Sequence, residues 1–102
     1  MSTASREMPR LDAERVQETA RMLRCVGHPL RLRILDLLER CGELTVTEIY
    51  ETLGLEQAVC SQHLTLMRDK GMLNRRREGV NVIYSIGDTR AFKVLGCVRG
   101  QS

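Results

Sequence analysis

Four cysteines (Cys25, Cys41, Cys60, Cys97) and two histidines (His28, His63) are the side chains of this 102-residue chain suited to hold a soft metal or to be oxidised. A thiolate is both the nucleophile and the soft ligand, and nearby positive charge favours it; Arg24 and Arg99 stand beside Cys25 and Cys97 in sequence. The spacing specifies no metal. No Cys-x-x-Cys occurs, so any metal site would have to be assembled from distant elements or across two chains. Cys25 and His28 are three apart, but Gly27 and Pro29 interrupt the helix that would align them.

A second group of residues suits a polyanion. Fourteen of the sixteen basic residues are Arg, whose planar fork matches phosphate and guanine edges. Residues 1–55 carry eight Arg against nine acids, whereas residues 56–102 carry eight Lys or Arg against four acids. The second half is where a polyanion would bind. There Gln57, Ala58, Ser61, Gln62 and Thr65 form a polar helix face opposite Cys60, Leu64 and Met67. Gln can bond adenine in bidentate fashion, and a small side chain such as Ala58 can touch a thymine methyl. His63 suits a phosphate or a neighbouring side chain. Arg75-Arg76-Arg77 follows at the entrance of a hairpin, where alternation leaves at least one Arg on each face, and Asn81 lies just past the turn, in reach of sugar or minor groove. A solvated surface would explain either feature alone. Side by side they favour double-stranded DNA.

The elements that must position these groups read as follows. An apolar stripe of Val16, Ala20 and Leu23 predicts a first helix over 12–26, closed by Gly27. Pro29 opens a second, with Leu30, Ile34, Leu37, Leu38 and Cys41 on one face and Gly42 as its stop. Thr45 and Glu48 form a capping box for a short third helix with Val46, Ile49, Tyr50 and Leu53 inward, ended by Gly54. A fourth runs over about 56–70 to Gly71, followed by strands at 72–77 and 80–86 around Glu78-Gly79. Asp88 caps a last helix over 89–98 with Ala91, Val94, Leu95 and Val98 in its stripe. The fold class is mainly α with a small β-hairpin, in the order α-α-α-α-β-β-α: a winged helix-turn-helix.

Composition agrees. A chain of 102 residues, 42% hydrophobic and 28% charged, makes one small globular domain, here expected over 12–98 between a flexible tail at 1–11 and a short tail at 99–102. With three aromatic residues (Tyr50, Tyr84, Phe92) the core must be aliphatic. The first and last helices have apolar stripes to spare, so a homodimer through them is expected. No signal-peptide pattern or apolar run of membrane-spanning length occurs, so the expected setting is cytoplasmic, away from membranes, with free thiols rather than bridges. No phosphate loop, paired carboxylates or nucleophile with a base is legible, which argues against an enzyme. The rival from another class is a winged-helix protein-interaction module.

His28-Pro29-Leu30-Arg31-Leu32-Arg33-Ile34-Leu35, then Glu43-Leu44-Thr45-Val46-Thr47-Glu48-Ile49, then Ser61-Gln62-His63-Leu64, then Arg76-Arg77-Glu78-Gly79 through Tyr84 together resemble the ArsR/SmtB family of small bacterial repressors. The resemblance spans roughly residues 12–98. It implies a homodimeric repressor that binds an imperfect palindromic operator and releases it when an inducer binds. By position it assigns Gln57, Ala58, Ser61, Gln62 and His63 to the recognition helix and Arg76, Arg77 and Gly79 to the wing.

The resemblance also locates two usual sensing sites, and this chain departs from both. Arsenic sensors of the family carry Cys-Val-Cys where this chain has Thr45-Val46-Thr47, and hydroxyls are poor ligands for a soft ion. Zinc sensors use Asp and His on the last helix; residues 88–102 contain Asp88 and no His. Sensing then falls to the cysteines. Cys60 reads as core and Cys41 as core at a helix end, whereas Cys25 and Cys97 lie off the main stripes of the expected dimer helices. Cys25 and Cys97 are the first choice for a thiol switch responding to an oxidant, polysulfide, arsenite or a soft metal ion, with Cys41 and Cys60 behind them. No cofactor is otherwise implied. The alternative is an inducer that no cysteine senses.

Overall fold

The computed structural model describes residues 12–98 and Gly100. Five helices and three strands follow in the order α1 (Ala13–Val26), α2 (Pro29–Cys41), β1 (Glu43–Thr45), α3 (Val46–Leu53), α4 (Gln57–Asp69), β2 (Leu73–Glu78), β3 (Asn81–Ile86) and α5 (Arg90–Val98). The tails expected at 1–11 and 99–102 lie outside the described residues, Gly100 apart.

Local chemistry sets the helix boundaries. Asp12 accepts the Glu14 N–H at 2.9 Å and starts α1. His28 starts α2, its Nδ1 accepting from the Leu30 N–H at 3.1 Å, with Pro29 in the first turn. The capping box of α3 is complete: Thr45 Oγ1 accepts from the Glu48 N–H at 3.1 Å, and Glu48 Oε1 accepts from the Thr45 N–H at 2.8 Å. Gly54, at φ +67°, turns the chain from α3 into α4 through the left-handed region where a Cβ would be strained. Asp88 Oδ1 accepts the Arg90 N–H at 2.9 Å and holds the start of α5.

The sheet has one strand more than the hairpin predicted from sequence. β1 pairs antiparallel with β3 through Glu43↔Ser85, Leu44↔Tyr84 and Thr45↔Ile83, giving the order β1-β3-β2. Three residues are too few for an alternating pattern to show, and their partner arrives about forty residues later in the chain. Both strands of the hairpin start one residue later than expected: Met72 is a buried bend residue and β2 runs on through Glu78, while Val80 sits at the tip with Gly79 rather than in β3. The last helix begins at Arg90 instead of Thr89.

One core joins all layers, formed by Ile34, Leu35, Leu37 and Leu38 of α2, Ile49 of α3, Cys60, Leu64 and Met67 of α4, Met72, Leu73 and Tyr84 of the sheet region, and Ala91 and Leu95 of α5. From α1 it takes Met22, Cys25 and Val26. That corrects two expectations. Cys25, expected off the packed face, is inside the protomer, and Cys41, expected on the apolar face of α2, is exposed at its end. The Val16/Leu23 stripe of α1, expected to be left over for a partner copy, faces outward, and the Met22/Cys25/Val26 set meets α2.

Candidate nucleic-acid interface

Helix α4 presents the two faces that a reading helix needs. Cys60, Leu64 and Met67 are fully buried and fix the helix against α3 and the sheet. Gln57, Ala58, Gln62 and Thr65 are exposed, and Ser61 is half-buried beside them. Ser61, Gln62, Thr65, Leu66 and Asp69 line a shallow open concavity along this face. No side chain caps the first turn of α4, so its free N–H groups keep their partial positive charge next to the polar face.

The structure brings Arg75, Arg76 and Arg77 to the wing but divides them into two kinds. Register places Arg75 opposite Tyr84 and Arg77 opposite Val82, on the sheet face from which Leu73 and Tyr84 enter the core. Neither Arg75 nor Arg77 makes an ion pair among the described residues. Arg76, opposite Ile83, turns to the other face. There it forms a two-pronged bond with Glu43 of β1, Nη2 donating to Oε1 at 3.1 Å and Nη1 to Oε2, while Nε donates to Glu78 Oε2 at 2.9 Å. The Arg76 guanidinium holds the Glu43 carboxyl below the usual carboxylate range. Arg76 therefore ties the wing to β1, whereas Arg75 and Arg77 stay outside that clamp. Asn81 is exposed opposite Glu78, beside the Gly79-Val80 tip.

His63 is half-buried and turned away from the polar face of α4. Its Nδ1 accepts from Arg31 Nε at 3.3 Å, and its ring lies 4.7 Å from that of His28. Burial, with His28 and Arg31 close by, lowers its pKa, so the neutral ring that accepts this bond is favoured. Arg31 also donates to the Cys25 carbonyl at 3.0 Å. His63 thus joins the recognition helix to the first turn of α2.

The four thiols fall into two pairs. Cys25 and Cys60 are buried, and burial pushes both thiols up; at Cys25, Arg31 and Lys70 offset part of that rise. Cys41 and Cys97 are exposed. Among the described residues no group of three His, Cys, Asp or Glu side chains comes together as a metal site.

Sequence reading missed Glu43, Glu78 and Arg31. Glu78 two residues from Arg76 was a local signal for pairing. Glu43 was not: only the β1–β3 ladder brings it within reach. Arg31 meets His63 across thirty-two positions, a contact with no local signature.

A three-stranded antiparallel sheet, a helix pair turned by Gly54 and a basic wing define a winged helix-turn-helix of the DNA-binding regulator class. Comparison with known proteins narrows this. The profile of the family described as "Bacterial regulatory protein, arsR family" matches residues 28–75. The transcriptional repressor PagR of Bacillus anthracis is 36% identical over 78% of this chain and 80% of its own length. Its crystal structure superposes with a TM-score of 0.79 over 85% of this chain and 99% of that one. A probable mercury resistance operon repressor of Streptomyces lividans is 37% identical over 79% of this chain and 64% of its own. The homodimeric winged helix-turn-helix DNA-binding domain of Mb0332 from Mycobacterium bovis, 27% identical, superposes with a TM-score of 0.73 over 91% of this chain and 88% of that one.

This chain belongs to the ArsR family of bacterial regulatory proteins, and the relatives from Bacillus anthracis and Streptomyces lividans are named as repressors. No described helix is long and apolar enough to cross a membrane.

Proposed function

We propose that two copies of this chain, joined through α1 and α5, grip a palindromic operator and release it when an accessible thiol reacts or binds a soft ion. The observation that carries the DNA reading is the division of α4 into a fully buried apolar face and an exposed Gln57/Ala58/Ser61/Gln62/Thr65 face beside two uncommitted wing arginines. Gln57 and Gln62 read base edges, while Arg75, Arg77 and Asn81 hold the backbone. His63 acts through Arg31 more than by touching DNA. A homodimer is supported by the outward stripe of α1 and by the homodimeric Mb0332 domain. The domain is taken as residues 12–98 with a tail on either side.

Exposure reorders the thiols. Cys97 keeps its place as a sensing candidate, and Cys41, open to solvent at the end of α2, moves ahead of Cys25. A soft inducer is supported by the thiol chemistry and by the mercury-operon relative. Footprinting on the upstream DNA tests the first half of the proposal, with a protected inverted repeat expected. Gel shifts against arsenite, zinc, cadmium, peroxide and polysulfide test the second. Release by one of them should vanish in Cys97→Ser or Cys41→Ser and persist in Cys60→Ser; release unchanged in all of the cysteine variants would sink thiol sensing and leave an inducer that binds elsewhere.

A further inference from the structure

A second concavity on the flank of α4 shares Leu66 with the one along the polar face and is otherwise lined by residues not used in the reading of DNA given above. It is lined by Arg21, Arg24 and Cys25 of α1, Arg31 of α2, and Leu66 of α4 with Lys70 at its end. Four of these six residues are cationic and none is acidic. Like charges converging on one hollow repel one another, and a bound anion is the simplest way to relieve that. Arg21, Arg24 and Lys70 make no ion pair among the described residues. Arg31 is already fixed in place by its bonds to the Cys25 carbonyl at 3.0 Å and to His63 at 3.3 Å, so part of the site is pre-ordered. Arg31 and Lys70 are close enough to Cys25 to offset part of the rise that burial gives its thiol.

Position argues against the duplex as occupant. On the wheel of α4, Leu66 and Lys70 lie about 100–180° from Ser61 and Thr65, on the side of α1. On α1, Arg21 and Arg24 likewise lie away from the outward Val16/Leu23 stripe. The hollow therefore falls between the reading face and the outer stripe.

We propose that this hollow is a binding site for a small multivalent anion of the phosphate or polycarboxylate class, bridging α1 to the end of α4. An anion there draws Lys70 and Arg31 toward α1. Through the Arg31–His63 bond, it would bias the recognition helix relative to the helix expected to carry the dimer contact. Only this coupling rests on α4 being the reading helix; binding of the anion does not.

The test is a titration of the free protein, without DNA, with inorganic phosphate and separately with citrate, chloride being exchanged to hold ionic strength constant. Amide and guanidinium NMR signals of Arg21, Arg24, Arg31 and Lys70 are followed. Saturable shifts confined to these groups are expected, with apparent affinity reduced at least about tenfold in an Arg24→Gln/Lys70→Gln double variant. Shifts that do not saturate, that chloride reproduces, or that survive in the double variant overturn the proposal. So does displacement of phosphate by operator duplex together with a salt slope lowered by about two in the double variant, which would make these cations backbone contacts of the DNA. A protein that binds no duplex but shows the saturable shifts would refute the operator reading and leave the anion site standing.

Discussion

Helices α4 and α1 carry the same kind of pattern and meet opposite fates. In α4 the regular apolar stripe, Cys60, Leu64 and Met67, disappears completely into the core. In α1 the regular stripe stays outside, with Val16 44% and Leu23 50% exposed, and a second set of residues makes the contact with α2. Helix α5 repeats the division within its nine residues: Ala91 and Leu95 are buried, while Phe92 and Val98 remain 42% and 61% exposed. The helix-turn-helix thus closes itself, whereas the outer pair is left half-covered. An amphipathic pattern says that a face is to be buried and is silent about which molecule buries it.

The comparison can be broken from either side. Leu64→Ala should cost about 2–5 kcal/mol of unfolding free energy in urea, because its site is enclosed on every side and cannot collapse fully. Leu23→Asp should leave the protomer folded but weaken self-association by about a hundredfold, roughly 2.7 kcal/mol, as seen by analytical ultracentrifugation. If the Leu23→Asp protein instead unfolds as readily as Leu64→Ala, the outward stripe is part of the protomer core after all.

Smaller effects sharpen the picture of α4. Gln62→Ala should be silent in unfolding yet lose about 1–3 kcal/mol of discrimination at one base position. Arg77→Ala should weaken all sequences alike and lower the salt slope by about one, and Arg76→Ala should do so less, since Glu43 and Glu78 already hold that charge. Equal salt slopes for the two variants would show that the clamp on Arg76 opens on DNA. Thr45→Ala removes one half of the capping box and should cost about 1 kcal/mol, read as a shift of the urea midpoint without a change in its slope.

The smallest effect is on acid stability. Arg90 lowers the pKa of Asp88, and Arg76 lowers that of Glu43. A carboxylate whose folded pKa is depressed stabilises the fold above its unfolded value, near 4 for Asp and about 4.3 for Glu, and loses that contribution as the pH falls through the folded value. The urea midpoint should therefore decline below about pH 4.3, and Glu43→Gln should flatten part of that decline. Both groups are partly or wholly at the surface, so the change is modest.

Much of the fold was legible because its signals are local. Pro29, the Thr45/Glu48 box, Gly54 and Asp88 mark element ends through bonds that reach only a few residues. The two faces of α4 were legible for the same reason: the period of 3.6 residues needs no partner to be read. What failed was what depends on distant chain. β1 was hidden in three residues, and the clamp on Arg76 was hidden with it. Cys25 and Cys41 exchanged places because wheel geometry ranks faces by regularity, while burial is decided by which face a neighbouring helix meets.

By itself, then, the sequence determined helices, turns, a polar face on the fourth helix and a run of three wing arginines, because propensity, capping and periodicity act within one or two turns of chain. The tertiary structure alone decided that, of the three wing arginines, Arg76 is clamped while Arg75 and Arg77 make no ion pair among the described residues, that His63 faces Arg31, that two thiols are shut in, and that four cations share one hollow. Those outcomes depend on charges and packed faces brought together across tens of residues. Coulombic and packing energies follow distance in space, which separation along the chain does not encode.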